Sequence, residues 1–170
     1  MRSRHRHARV LLRSNIYNLR VIDSLHDDQQ VEVQLTVCCL NAQSLRNKAI
    51  SVADYVVSKG IGVLALTETW LVTDTDRLTI NKLVPGGYEF NHIPRKGGRR
   101  GGGIGLLYRS GLTVTVSKSE TTEMYTHFEN MDCIINIGTV TCKFCIIYRP
   151  LLLNKIALEI QFSLTNGLNT

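Results

Sequence analysis

The chain has 170 residues, 44% of them hydrophobic and 20% charged, so its composition is that of one folded domain and excludes a disordered protein. No apolar stretch reaches the about 18 residues that a membrane-spanning helix needs, and we expect no membrane partner. The net charge of +6 comes from residues 1–20, which hold six arginines and no acidic residue, because the other 14 basic residues balance 14 acidic ones.

The uneven charge predicts two regions. Residues 1–30 are expected to form a basic, disordered arm, and residues 31–170 the folded domain. The arm is either a solvated tail or a segment that holds nucleic-acid phosphates without sequence preference. The two interpretations differ in a measurable way, because phosphate binding by arginines weakens steeply with salt.

The start of the predicted domain has the pattern of a βαβ unit. Residues 31–40 alternate and then become wholly apolar, which is typical of a strand that enters a core. Ser44 is a suitable N-cap, and Gly60 ends the helical pattern that follows it. The residues that recur at helical spacing between them are Leu45, Ala49, Val52, Ala53 and Val56. Residues 61–66 form the second buried strand, so the first two strands are predicted to be parallel neighbours.

The rest of the domain is predicted to be mostly β. Short apolar runs at residues 104–109, 112–116, 128–137 and 139–147 are separated by turns, and this pattern is typical of an antiparallel meander. Residues 154–166 fit a helix and a strand equally well. A βαβ start followed by a meander predicts an α/β fold of the α+β type.

Glu68 is the most informative residue, because it follows a buried strand that has no structural need for a carboxylate. In a βαβ unit the carboxyl ends of both strands lie at one edge of the sheet, so Asn41 is expected at the same edge. One carboxylate with waters and a substrate phosphate is a usual way to bind Mg²⁺. Two simpler interpretations stay open, with Glu68 as an ordinary loop residue and Asn41 as a helix cap.

Two further sets of side chains suit contacts with phosphate. Tyr148 and Arg149 end an apolar strand, where a hydroxyl and a guanidinium can hold phosphate oxygens; the alternative is an edge tyrosine beside a solvated arginine. The glycine-rich loop at residues 94–103 carries four cations that suit a nucleic-acid backbone, or else are simply solvated. These cations are Arg95, Lys96, Arg99 and Arg100.

The five cysteines include Cys142 and Cys145, which have the CxxC spacing of zinc and redox sites. They lie in a strand-like run, however, where positions three apart face opposite sides of a sheet. No second CxxC pair follows in the sequence. We therefore interpret them as core thiols.

The motifs occur in an order that resembles a known family. In chain order they are Leu40-Asn41-Ala42-Gln43-Ser44-Leu45-Arg46-Asn47-Lys48, Leu66-Thr67-Glu68-Thr69-Trp70-Leu71, Pro85-Gly86-Gly87-Tyr88, residues 99–109, Phe128-Glu129 and Tyr148-Arg149-Pro150. The series resembles the endonuclease/exonuclease/phosphatase superfamily and, within it, the apurinic-type endonuclease domain of non-LTR (LINE-like) retrotransposons. The resemblance covers about residues 31–165.

This resemblance implies a four-layer α/β/β/α sandwich, partial in this chain, and hydrolysis of DNA phosphodiesters that depends on Mg²⁺ or Mn²⁺. It implies that Glu68 is the metal ligand, that Asn41 positions the attacking water and the phosphate, and that Tyr148 contacts the phosphate in the transition state. The hairpin that begins near Arg99 would lie on the DNA-facing side. DNA is the expected partner, together with a complementary C-terminal half or a reverse transcriptase domain.

The sequence departs from the family after Tyr148. Relatives continue with a Gly-Asp-Phe-Asn segment and a Ser-Asp-His segment that supply further catalytic groups, and neither occurs before Thr170. Because loss of one member of a catalytic unit can remove most of its activity, we expect a truncated domain that is inactive alone. Two alternatives stay open: a non-catalytic, basic nucleic-acid-binding remnant, and another phosphodiesterase or phosphatase of the same superfamily.

Overall fold

The computed structural model describes residues 6–12, 19–20, 35–72, 75–94, 101–117, 128–137, 140–149 and 155–164. Within these ranges the elements are, in chain order, β1 (Arg6–Leu12), β2 (Leu19–Arg20), β3 (Thr36–Asn41), α1 (Ala49–Ser58), β4 (Val63–Thr67), α2 (Arg77–Leu83), β5 (Tyr88–Ile93), β6 (Ile104–Arg109), β7 (Thr113–Ser117), β8 (Glu129–Ile137), β9 (Val140–Arg149) and β10 (Lys155–Leu164). The fold is mixed α/β of the α+β type, as the sequence predicts. Neither described helix is long and apolar enough to cross a membrane.

The strands form two five-stranded sheets. The mixed sheet has the order β2-β3-β4-β6-β5, and in it β3 and β4 are parallel and are connected by α1. The antiparallel sheet has the order β1-β10-β9-β8-β7. The βαβ start is therefore confirmed. The antiparallel second half is divided, since β5 and β6 join the mixed sheet while β7 to β10, together with β1, build the other.

The two sheets pack face to face through one apolar cluster, the inter-sheet core. In β8, Met131, Cys133 and Ile135 are buried in this core, whereas Ile134 is 36% exposed on the outer face. Side chains of a strand alternate between its two faces, which explains this pattern. From the mixed sheet the core receives Val37, Cys39, Val63, Ala65, Ile104, Leu106 and Tyr108.

Four of the five cysteines are buried, and Cys142 agrees with the interpretation as a core thiol. Cys142 lies in the inter-sheet core, whereas Cys145, three positions later, is half-buried. Burial raises the pKa of the Cys142 thiol to about 11, and the pKa values of the Cys39 and Cys133 thiols to about 12. These thiols therefore stay protonated at neutral pH and are poor nucleophiles.

The helices cover the other face of the mixed sheet. The apolar stripe of α1 contributes Ala49, Val52 and Val56 to a second cluster, which Leu83 of α2 joins; Ala53 of the same helix is also buried. Helices, mixed sheet and antiparallel sheet make three layers. Both helices of the described chain lie on the mixed sheet, so the fourth layer that the family resemblance implies remains a prediction.

Helix α1 begins later than the sequence predicts. Its first residue is Ala49, and Ser44, the expected N-cap, has a φ of 80° instead. The cause is long-range, because the amides of Ala42, Ser44 and Leu45 donate to the carbonyl groups of residues 67–69 at 2.9, 2.8 and 3.1 Å. This loop continues the hydrogen bonding of β3 and β4, and its backbone is therefore not available for a helix.

Two segments of the expected arm and one ambiguous segment are strands. Arg6–Leu12 pairs with β10, and Leu19–Arg20 pairs with β3. These pairings place the two segments at the ends of the antiparallel and the mixed sheet; the other residues of 1–30 lie outside the described ranges, and the expectation of a basic arm stays a prediction. Lys155–Leu164 is the strand β10. The sequence fits a helix and a strand equally well here, and the strand is favoured because β9 pairs with all ten of its residues.

Candidate active site

The side chains that the sequence singles out meet at one edge of the mixed sheet. β3 ends at Asn41 and β4 ends at Thr67, and these two residues are neighbours in the parallel ladder. Thr67 is also paired with Ile104, the first residue of β6. The loops after β3 and β4 and the segment before β6 therefore share this edge, which we call the carboxyl edge (residues 41–45, 67–72 and 102–104). Glu68 lies on it, as expected.

The antiparallel sheet reaches the same edge through Glu129. The amide of Gly103 donates a hydrogen bond to Glu129 Oε2 at 2.7 Å. Glu129 begins β8 and is paired with Tyr148 near the end of β9, so the structure brings Tyr148 to the same end of the sandwich as Asn41 and Glu68. Tyr148 is only 1% exposed because it packs in the inter-sheet core. A phosphate would have to approach the end of that core to meet its hydroxyl.

The loop that carries Glu68 is held from both sides. On one side, the Ser44 amide donates to the Glu68 carbonyl at 2.8 Å. On the other, the amides of Thr69 and Trp70 donate to the carbonyls of residues 103 and 102 at 3.2 and 2.9 Å. A Cβ at position 103 would lie 2.5 Å from Thr69 Oγ1, so this close approach requires glycine. The backbone of Glu68 therefore cannot move independently of its neighbours.

Backbone strain is concentrated in the two loops that follow β3 and β4. Among the described residues, the non-glycine residues with a left-handed backbone are Gln43 (φ 45°), Ser44 (φ 80°), Glu68 (φ 55°) and Trp70 (φ 56°), and all of them lie in these loops. Such conformations cost on the order of 1–2 kcal/mol each. They persist where the surrounding structure imposes them, which is common at ligand-binding sites.

The carboxylate of Glu68 is held at one oxygen and open at the other. The indole N–H of Trp70 donates to Glu68 Oε2 at 2.6 Å. The other oxygen, Oε1, makes no hydrogen bond within the described part of the chain, and the side chain is half-buried. A carboxylate that is oriented at one oxygen and accessible at the other is suited to bind a hard cation.

Two hydroxyl groups beside Glu68 are buried. Thr67 and Thr69 are 1% and 0% exposed, and neither Oγ1 atom has a hydrogen-bond partner among the described residues. A buried polar group without a partner costs about 1–3 kcal/mol. Nothing in the sequence signals this, because threonine is ordinary in β-rich segments. At such atoms a water molecule or a hydrated ion would gain hydrogen bonds.

Asn41 forms a turn instead of a helix cap. Its Oδ1 accepts a hydrogen bond from the amide of Gln43 at 3.2 Å, which closes a short side-chain turn directly after β3. Its amide nitrogen makes no hydrogen bond within the described ranges. The side chain is therefore held at the carboxyl edge, with donor groups that the described part of the chain does not use.

Asp76 is a residue of this region for which the sequence has no signal. It is almost fully buried, and its two oxygens accept hydrogen bonds from Arg46 Nε and Nη2 at 2.9 and 3.0 Å. The amide of Val72 donates to Asp76 Oδ2 at 2.8 Å. These hydrogen bonds, above all those of Arg46, hold the pKa of the Asp76 carboxyl below its usual value. Asp76 thus ties the loop after β3 to the segment before α2, across thirty residues of sequence.

The remaining predicted contacts and the metal site stay predictions. The cations Arg95, Lys96, Arg99 and Arg100 lie outside the described residues, and so does the side chain of Arg149 at the end of β9. In the part of the chain that the structure describes, no group of three or more His, Cys, Asp or Glu side chains could hold a metal ion. One carboxylate and one amide would leave most coordination positions to water, as is usual for Mg²⁺.

Comparison of the chain with protein-family models, with curated proteins and with solved structures finds no match. Membership of the endonuclease/exonuclease/phosphatase superfamily therefore remains a prediction that rests on the order of the sequence motifs. The geometry of the carboxyl edge does not depend on that resemblance.

Proposed function

We propose that this chain carries part of a Mg²⁺-dependent phosphodiesterase site for DNA, of the kind that endonuclease domains of non-LTR retrotransposons use. The observation that carries the proposal is Glu68, a carboxylate on a strained loop at the carboxyl edge of a parallel strand pair. One of its oxygens is oriented by Trp70 and the other is open to a ligand. An ordinary loop glutamate gains nothing from a left-handed backbone, and in such a loop a substitution could relieve the backbone strain at little cost.

The residues of the carboxyl edge fit a hydrated divalent cation. Glu68 would hold Mg²⁺ or Mn²⁺, and the buried Thr67 hydroxyl is a further group to which a metal-bound water could donate. The cation, when bound, supplies positive charge that stabilises a reacting phosphate. Asn41 would orient a water or a phosphate oxygen through its unused amide, and Tyr148 would meet the phosphate through its hydroxyl.

DNA is the proposed substrate because of charge. Arg95, Lys96, Arg99 and Arg100 precede Gly102 and Gly103 in the sequence, and the carbonyls of those two glycines accept hydrogen bonds from the Glu68 loop. A run of cations in the sequence that leads into this segment suits contacts with a phosphate backbone.

Metal binding at Glu68 can be measured directly, because Trp70 is the single tryptophan of the chain and contacts this carboxylate. We expect Mn²⁺ to quench the tryptophan fluorescence of the full chain, and Glu68→Gln to weaken this binding by about tenfold or more. Asp54→Asn removes an exposed carboxylate of α1 and serves as the matched control, which should bind as the wild type does. Equal Mn²⁺ affinity in wild type and Glu68→Gln would refute the metal role.

Catalysis is a separate question, which a plasmid-nicking assay with Mg²⁺ and an EDTA control decides. The family resemblance assigns further catalytic groups to segments that this sequence does not contain, so we expect no nicking above the level of Glu68→Ala. Robust Mg²⁺-dependent nicking that Glu68→Ala abolishes would contradict the expected inactivity. DNA binding that ignores Mg²⁺ and falls with salt, without any Glu68-dependent metal binding, would favour the non-catalytic nucleic-acid-binding remnant.

A further inference from the structure

A large aromatic ring is exposed directly beside the candidate metal ligand. Trp70 is 38% exposed at the carboxyl edge, although the next residue, Leu71, is buried. The other large apolar side chains that the structure describes as exposed lie on the helices, on β8 or further along the same loop. A tryptophan is the largest apolar side chain, and its exposure beside a carboxylate is not explained by packing.

The ring is held in place instead of moving freely. The Trp70 backbone has a φ of 56°, a genuine outlier for a bulky residue, and its amide donates to the carbonyl of residue 102 at 2.9 Å. The indole N–H donates to Glu68 Oε2 at 2.6 Å. Backbone and ring are thus fixed at three points, counting the buried neighbour Leu71. The fold therefore sustains a strained loop that keeps one aromatic surface beside Glu68 and open to solvent.

We propose that the exposed surface of Trp70 is a stacking site for a nucleobase of unpaired DNA. The inference rests on the proposed function and adds to it a substrate class, single-stranded or locally opened DNA. Every base has an apolar face that stacks on an indole, and such stacking needs no particular sequence. A base in an intact duplex is already stacked on its neighbours and cannot use the ring without leaving the helix.

The position of the ring makes a nucleobase the fitting occupant. Trp70 contacts Glu68, so a nucleotide whose phosphate lies at the carboxyl edge brings its own base or an adjacent base within reach of the indole, with or without a cation. An apolar protein partner would instead use the more exposed Val72 and Leu78 of the neighbouring segment and of α2. Leu78→Ala therefore serves as the matched control for loss of an exposed apolar side chain.

The first measurement uses the intrinsic fluorescence of Trp70 in the full chain, with EDTA present. A short oligothymidylate should quench this fluorescence, whereas an abasic oligomer of the same length and charge should not, because only the former has a base to stack. A blunt duplex should quench less than the single strand. Equal quenching by the base-containing and abasic oligomers, or by the duplex and the single strand, would overturn the stacking site.

The second measurement uses labelled oligomers and fluorescence anisotropy. The wild type should bind oligothymidylate about 5- to 100-fold more tightly than the abasic oligomer, the range expected for one base stacked on an aromatic ring. Trp70→Ala should lose this preference, Trp70→Phe should keep most of it, and Leu78→Ala should not change it. A preference that survives in Trp70→Ala, or that is lost equally in Leu78→Ala, would refute the role of Trp70.

The two proposals can fail separately. The stacking measurements contain no metal ion, so they give the same result whether or not Glu68 binds a cation. Mn²⁺ binding without base-dependent quenching would leave the metal site in place and remove the nucleobase site. If Trp70→Ala does not fold, the wild-type quenching experiment and Trp70→Phe still decide the question.

Discussion

The two edges of the mixed sheet differ in backbone strain and in the hydrogen bonding of their polar groups. At the amino edge, where β4 begins (residues 60–62, 87–88 and 109–110), the left-handed positions are glycines, among them Gly60. Tyr88 donates through its hydroxyl to the carbonyl of Ile61 at 2.7 Å, and Arg109 Nη2 donates to that of Gly60 at 3.0 Å. At the carboxyl edge, four non-glycine residues are left-handed and two buried hydroxyls have no described partner.

The difference lies between two ends of the same strands, so the fold itself does not require it. One edge combines low strain with paired polar groups, which is what stability alone favours. The other retains strain and unpaired groups together with an accessible carboxylate, a combination that natural proteins keep where a site needs it. The comparison thus supports the proposal that the carboxyl edge holds a site, and it does so without reference to any family.

Glycine substitutions should show the largest difference in stability between the two edges. Gly103→Ala places a Cβ 2.5 Å from Thr69 Oγ1 at a φ of 86°, and we expect a loss of about 2–4 kcal/mol in the free energy of unfolding. Gly60→Ala, at a φ of 60° with its nearest contact 3.4 Å away at the end of the Arg109 side chain, should cost about 1 kcal/mol. Urea unfolding measures both.

Gly111→Ala is the control for these substitutions, because nothing lies within 4 Å of the added Cβ. Its free energy of unfolding should stay within about 0.5 kcal/mol of the wild type. Equal losses in Gly103→Ala and Gly60→Ala would show that the two edges are packed alike, contrary to the structure.

Removal of the Asp76 charge should have a smaller effect that depends on pH. The folded-state pKa of Asp76 is lowered, mainly by the hydrogen bonds from Arg46, so its stabilisation is present above the unfolded-state pKa and is lost as the pH falls through the folded-state value. We expect Asp76→Asn to cost about 1–2 kcal/mol at neutral pH, and this difference from wild type to shrink below about pH 4.

Urea unfolding at neutral and at acidic pH checks this expectation, with Asp54→Asn as a control for loss of an exposed aspartate. A difference between wild type and Asp76→Asn that is the same at both pH values would mean that the carboxylate charge does not stabilise the link to Arg46.

The smallest expected change in stability is a gain at the carboxyl edge. Thr67→Val replaces a buried, unpaired hydroxyl by a methyl group of similar size, so the free energy of unfolding should rise by about 0.5–1 kcal/mol. The same variant should bind Mn²⁺ more weakly if that hydroxyl accepts from a metal-bound water. Thr115→Val, on the exposed side of β7, should change neither quantity. A clear loss of stability in Thr67→Val would show that the fold itself uses the hydroxyl.

The sequence predicts the part of the site that follows from local order along the chain. Strand, helix and strand over residues 31–66 are enough to expect Asn41 and Glu68 at one edge, and the parallel pairing of β3 and β4 confirms it. The sequence does not decide between helix and strand for residues 155–164, because the apolar pattern fits the repeat of either one. The pairing with β9 distinguishes the two.

The rest of the site depends on contacts between distant segments. Ser44 fails as a helix cap because residues 42–45 bond to residues 67–69 of another loop. The pairing of Arg46 with Asp76 spans thirty positions, and no local pattern marks either residue. Likewise, the sequence assigns no role to Glu129 of the Phe128-Glu129 motif, and the structure shows that it accepts a hydrogen bond from the amide of Gly103.

The hydrogen bond between Glu129 and Gly103 makes the Glu68 loop sensitive to the docking of the two sheets. It connects β8 to the segment whose carbonyls hold Thr69 and Trp70, so a slide of one sheet over the other is transmitted to the loop. A ligand at Glu68 should then slow amide hydrogen exchange in β8 and β9, although it touches neither strand interior. Conversely, loosening the distant inter-sheet core, for example with Ile135→Val, should weaken binding at an edge that the substitution never contacts.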